Sequence, residues 1–145
     1  MRKIIVYELG YLNMNWPLGA LKEWLVERDA VLADIRFQPR SHNPKWAKHV
    51  LERVLGERYV HIEELGNLNY KLKGMENIEI ADMEKGLSRL WDAPFQSVVI
   101  MCACKDFDHC HRKVVAARVV ELGGEVRPLL DSPPSEPSDI QPILF

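Results

Sequence analysis

Residues 97–103 read Ser-Val-Val-Ile-Met-Cys-Ala, and residues 104–112 continue Cys-Lys-Asp-Phe-Asp-His-Cys-His-Arg. The first seven are apolar at both odd and even positions. A strand that alternates faces needs such a run only when both faces are covered, as in the centre of a parallel sheet. The second stretch is polar and feeds a helix predicted from about Cys110 to Leu122, with Val115, Val119 and Leu122 as its buried stripe and Gly123-Gly124 as its end. A buried strand followed by a short loop and a helix is the repeating unit of an α/β domain.

Outward from this unit, the same alternation recurs. Lys3–Leu9 (KIIVYEL), Ala30–Arg36 (AVLADIR), Arg58–Ile62 (RYVHI) and Glu125–Leu130 read as further strands. Helices are predicted from Asn15 with Pro17 in the first turn, from Pro44 to Leu55, and from Ile80 to Trp91. Residues 66–78 carry Gly66, Asn67, Asn69, Gly74 and Asn77 and read as a loop. The expectation is a Rossmann-like three-layer α/β domain over residues 1–131, with a mostly parallel sheet of about five strands and right-handed crossovers. Residues 132–145 form a Pro-rich tail; the last fifteen residues hold four of the nine prolines.

Composition narrows the setting. The chain has 145 residues, 47% of them hydrophobic, and a net charge of −2, which fits a folded domain and excludes a disordered chain or a globally basic nucleic-acid binder. No apolar run approaches the roughly 20 residues of a membrane span, and Glu8 and Gly10 interrupt the only apolar stretch near the N-terminus. The chain is expected to be cytoplasmic, with no membrane partner. Its three cysteines all fall between positions 102 and 110, so a structural disulfide framework is not expected.

Several separated motifs resemble one family. Asp34-x-Arg36, then Pro39-x-Ser41, then Tyr59-x-His61 with Leu65-Gly66, then Met101-Cys102-Ala103 and Cys110-His111-Arg112 are similar in kind and order to the DUF488 family of small α/β proteins. The resemblance covers nearly the whole domain and implies that the family's motif cysteines are Cys102 and Cys110. Members commonly carry Glu where this chain has Cys104. The family name records no activity, so what the resemblance implies is a fold and a set of motif positions.

The chemistry must be read from the residues. In a parallel sheet, ligands bind beyond the carboxyl ends of the strands, and two such loops, 34–44 and 102–112, are rich in functional side chains. A helix start at Cys110 lowers the pKa of a thiol and favours a bound anion. Arg112 and Lys113 in that first turn oppose the helix dipole, and an anionic ligand or a nearby carboxylate, such as Asp34, Asp106 or Asp108, would relieve the conflict.

The candidate catalytic residues are therefore Cys110, His111 and Asp34, and the candidate anion-binding residues Arg36, Ser41, Arg112 and Tyr59. The implied partner is a small anionic ligand, a nucleotide or a nucleic acid, which would also use the basic stripe Arg36, Arg40, Lys45, Lys48 and Arg53 around Trp46. The sequence equally allows a non-catalytic binding module, or a redox or metal-binding protein built on Cys102, Cys104 and Cys110. The Cys-x5-Arg loop of cysteine phosphatases is absent. No cofactor or metal is predicted.

Overall fold

The computed structural model describes residues 2–104 and 106–129. Five strands, β1 (Ile5–Gly10), β2 (Ala30–Asp34), β3 (Tyr59–His61), β4 (Ser97–Cys102) and β5 (Glu125–Pro128), form one sheet in the order β3-β2-β4-β1-β5. Every pairing is parallel. The both-parity apolar run at 97–102 is central, and each of its six residues is buried. The tail at 132–145 and the domain boundary at 131 lie outside the described residues.

The helices are α1 (Leu18–Glu27), α2 (Lys48–Leu55), α3 (Met83–Asp92) and α4 (His111–Glu121). They sort onto two faces. Leu21, Trp24 and Leu25 of α1 and Leu51 and Leu55 of α2 pack with Leu32, Val99 and Met101 of the sheet. Leu87 and Leu90 of α3 and Val115 and Val119 of α4 pack with Val31, Val98 and Ile100 on the other side. This is the three-layer α/β arrangement.

Element ends shift from the expected ones for local reasons. α1 begins at Leu18, because Pro17 holds an extended backbone with φ −59° and ψ 149°. The helix expected from Pro44 is broken: a single tight turn at Pro44–Trp46 ends at extended Ala47, and α2 starts after it. α3 starts at Met83, where the Asp82 side chain accepts from the Lys85 N–H at 3.2 Å. β2 stops at Asp34, not Arg36, as the Asp34 carboxylate accepts the Arg36 N–H at 3.2 Å and turns the chain. β5 ends at Pro128, two residues before its expected end.

After β4 the chain leaves toward the α3/α4 face, whereas after β1 and β2, its two neighbours, it leaves toward the α1/α2 face. Loops that diverge from adjacent strands open a crevice at the carboxyl edge. Gly10 pairs with Cys102 at this edge, and a Cβ on Gly10 would stand 1.9 Å from the Cys104 carbonyl oxygen. Gly10→Ala is expected to push the β4–α4 loop away and lower stability by roughly 1–3 kcal/mol, visible as a lower urea midpoint. An unchanged midpoint would mean that the loop does not press on β1.

Candidate functional site

Cys110 is the residue before the first turn of α4, and its Sγ accepts the Arg112 backbone N–H at 3.5 Å in the manner of a capping side chain. The Arg112 Nε donates to the same sulfur at 3.4 Å. From the strand side, Cys102 brings its Sγ to 2.7 Å from that of Cys110. His111 Nδ1 lies 3.8 Å from the Cys110 sulfur. Its Nε2 is 2.8 Å from the Ile35 carbonyl oxygen, which can only accept, so Nε2 carries a proton and Nδ1 is the nitrogen that faces the thiol.

The charges follow this geometry. Hydrogen bonds from Cys102, then from Cys104, hold the Cys110 thiol far below its ordinary range against the cost of burial, and His111 adds to the effect. Burial first, and then the neighbouring sulfurs, push Cys102 well up. For Cys104 the bond with Cys102 lowers the value, but the bond with Cys110 and burial outweigh it, so it too is raised. Within the cluster, Cys110 is thus the sulfur that most readily loses its proton, with Cys102 and Cys104 as hydrogen-bond donors to it.

Arg112 balances the charge of a Cys110 thiolate. Burial opposes its charge, but Cys102, Cys110 and Glu8 raise its pKa on balance. Its side chain is 2% exposed; Nη1 donates to Glu8 Oε2 at 2.6 Å and Nη2 to the Cys104 carbonyl at 3.0 Å. The carboxylate that relieves the conflict with the helix dipole is therefore Glu8 of β1, and neither Asp34, Asp106 nor Asp108 pairs with Arg112. The signal was a lone acid within the apolar run of β1, where an unpaired charge is costly.

The other expected site residues gather on the opposite face of the sheet. Asp34, fully buried, accepts Arg36 Nε at 2.8 Å and Nη2 at 2.6 Å, and also the Tyr59 hydroxyl at 2.6 Å. Arg36 Nη2 donates further to the Trp46 carbonyl at 2.8 Å, and its guanidinium lies 5.4 Å from the Tyr11 ring. Burial first, then the Asp34 charge, keep the Tyr59 hydroxyl protonated. Ser41 lies outside both groups; its Oγ accepts the Asn43 N–H at 3.1 Å. The structure thus brings Cys110, His111 and Arg112 together and ties Asp34, Arg36 and Tyr59 into a second set; the two meet at the 34–36 backbone and at Arg36, which borders the same cleft as the cysteines and His111.

Between the two loops opens a cleft of about 660 Å³. Cys102, Cys104, Cys110 and His111 border one side, and Arg36, Phe37, Gln38 and Arg40 of loop 34–44 another. The third wall was not foreseen: it is loop 66–78, which supplies Asn67, Tyr70, Lys71 and Lys73. That loop is built by its asparagines. Asn67 Oδ1 accepts the N–H groups of Asn69 and Glu79, both at 3.0 Å, and Asn69 Nδ2 donates to the Asn77 carbonyl at 2.9 Å. The alternation Tyr70-Lys71-Leu72-Lys73 among turn residues was the available signal. The basic stripe, by contrast, disperses: Arg36 turns inward, Lys45 donates to the Trp16 carbonyl, and Lys48 pairs with Glu52.

A parallel α/β sheet with a cysteine capping the helix that follows its central strand defines an α/β protein with a Cys/His cluster at an edge crevice. The chain belongs to the DUF488 family, described as a domain of unknown function, whose pattern matches residues 25–119. The match takes in β2 through most of α4 and so includes both loops and the cysteines. No curated protein and no solved structure shows significant similarity to the chain.

Asp34→Ala leaves the Arg36 charge buried without its partner and is expected to cost about 3–5 kcal/mol of stability. Tyr59→Phe removes one bond to a charged acceptor and should cost about 1.5–3 kcal/mol; chemical denaturation orders the two, and the reverse order would contradict the pairing. For Cys110, a folded pKa below the unfolded value near 8.5 means a stabilising contribution that is full above that pH. It declines as pH falls and is gone below the folded value. Thiolate absorbance should persist at pH 6 in the wild type and vanish in Cys110→Ser; its absence from the wild type would place the proton on Cys110.

Proposed function

We propose that the cleft binds a small phosphate-bearing anion and that the protein is an enzyme acting on it, with Cys110 and His111 as the catalytic pair. One observation carries the reading: besides Arg36, which is paired with Asp34, the cleft is bordered by Arg40, Lys71 and Lys73 and by no carboxylate among the described residues. Elsewhere on the surface, cations such as Lys48, Lys85, Arg89, Lys113, Arg118 and Arg127 each lie within 4.0 Å of an acid. The three at the rim pair with no acid among the described residues. Lys3, Lys22 and Arg53 are also exposed without an acid partner among the described residues, but they do not line a cleft; in a chain of net charge −2, three such cations around one concave surface that lacks a carboxylate make a local anion field.

A nucleotide suits the walls best. Phe37 and Tyr70 border the same cleft with ring centroids 6.3 Å apart, and Tyr70 is 49% exposed, which offers an aromatic face to a base beside cations for its phosphate. Arg112 is committed to Glu8, Cys104 and Cys110, so its role is to hold the thiolate, and the rim cations take the ligand. Asp34 acts as a positioning residue through Arg36, with Tyr59 in support.

In the reaction, the Cys110 thiolate attacks the electrophilic atom of the bound substrate. The bond to the leaving group breaks as that group takes from His111 Nδ1 the proton that Cys110 had passed to it. Water then displaces the enzyme-bound group and returns a proton to His111, restoring the thiolate.

The test is titration with a nucleoside monophosphate and with pyrophosphate. Replacing Arg40, Lys71 and Lys73 together by Ala should weaken binding at least about tenfold, or about 1.4 kcal/mol, while Lys48→Ala leaves it unchanged; wild-type affinity should fall with added salt. Binding that ignores both salt and the triple replacement would overturn the anion reading. Cys110→Ser should bind as the wild type does and lose turnover of hydrolysable nucleotides. Turnover retained in that variant would leave a binding module.

A further inference from the structure

Nucleophilic attack uses the Cys110 sulfur and leaves Cys102 only as a hydrogen-bond donor to it. Both sulfurs border the cleft, both residues are 1% exposed, and their 2.7 Å separation is about 0.7 Å longer than a disulfide bond. The two are also chemically unequal. Cys110 Sγ receives the Arg112 backbone N–H and Nε, whereas the Cys102 side chain leaves the end of β4 beside it with no cation hydrogen-bonded to its sulfur among the described residues. One thiol is prepared to attack and the other is in place to resolve.

A metal is the competing use of the same atoms, because the ligand atoms of Cys102, Cys110 and His111 lie within 4.8 Å of one another. Two arguments weigh against it. Sulfurs on one tetrahedral zinc, each about 2.3 Å from the ion, stand roughly 3.7 Å apart, so this pair would have to open by about an ångström. The buried Arg112 guanidinium already lies against Cys110, where it neutralises a thiolate and repels a divalent cation.

We propose that Cys110 and Cys102 form a reversible thiol–disulfide couple oxidised by small hydroperoxides. The Cys110 thiolate attacks the outer peroxide oxygen; the O–O bond breaks, the leaving oxygen takes the proton that Cys110 had passed to His111 Nδ1 and departs as an alcohol or water, and Cys110 becomes a sulfenic acid. Cys102 then attacks that sulfur, the S–S bond forms, the S–O bond breaks, and water leaves with the Cys102 proton. Two equivalents of a low-molecular-weight thiol return both cysteines to the reduced state and are themselves oxidised to a disulfide. The burial of both sulfurs suits a small oxidant. The couple does not depend on the nucleotide reading, although a disulfide would also consume that reaction's nucleophile.

The experiment is oxidation of the intact chain with hydrogen peroxide, read by mass and by tryptic mapping. Cleavage after Lys105 separates Cys102 and Cys104 from Cys110. The expected product is lighter by two hydrogens and joins these two peptides. The join should persist in Cys104→Ser and be lost in both Cys102→Ser and Cys102→Ala. In those two variants a cyclic dione should trap sulfenic acid on Cys110, which keeps the result readable even where the variant is less stable.

Glutathione should restore three free thiols. Three thiols still free after peroxide, a join lost in Cys104→Ser, or stoichiometric zinc that must be removed before the thiols react would each overturn the couple. Nucleotide binding by the reduced protein, measured separately, reports on the proposed function alone.

Discussion

The Arg112 guanidinium is the constraint around which the site is arranged. It is a cation in the first turn of a helix, opposed by the dipole, and 2% exposed, so water cannot solvate it. Such a charge is tolerable only where anions and carbonyls meet it. Glu8 from β1, the Cys104 carbonyl from the β4–α4 loop and the Cys110 sulfur from the helix cap do so. Each partner comes from a different part of the chain, so the one residue ties β1, β4 and α4 together. It also bears on charge: the backbone N–H and the Nε–H of Arg112 are both aimed at the Cys110 sulfur and, with the hydrogen bonds from Cys102 and Cys104, make Cys110 the sulfur that most readily gives up its proton.

The sheet divides the polar work between its faces. Because neighbouring side chains on a strand point to opposite sides, Asp34 faces α1 and α2 while Cys102 faces α3 and α4. A buried ion pair on one side and a thiolate cluster on the other are thereby kept apart by the backbone of β2 and β4. His111 spans the divide, its Nε2–H held by the Ile35 carbonyl. The Asp34–Arg36–Tyr59 set fixes the loop that supplies this carbonyl, and so fixes which imidazole nitrogen faces the thiol. The influence of the buried pair on the cysteine site is one of orientation.

What could be read in the sequence follows from how far each signal reaches along the chain. Periodicity and β-branched runs are local, and they delivered five strands, the central place of 97–102 and the two loaded loops. The convergence of Cys110, His111 and Arg112 was also local, since all three sit on one helix end. Glu8 and loop 66–78 were missed because their roles are set by tertiary pairing: Glu8 lies 104 residues from Arg112, and Lys71 and Lys73 matter only because the loop folds over the cleft. Arg36 shows the converse. Its position in a basic stripe suggested an exposed ligand contact, yet the Asp34 two residues earlier gives it a buried partner.

A thiolate at the base of a cationic cleft presents an apparent conflict, since a negative charge at the reacting atom repels the anion that the rim attracts. Burial sharpens this, because charges in a low-dielectric site interact more strongly than in water. Arg112 resolves it locally. With its guanidinium against the Cys110 sulfur, the thiolate and the arginine act on a ligand as a near-neutral pair. The field that the ligand meets is then that of Arg40, Lys71 and Lys73 at the rim. Under the proposed function, recognition and reactivity are therefore separable in this cleft, one set by exposed cations from two loops and the other by a buried arginine that no ligand needs to touch.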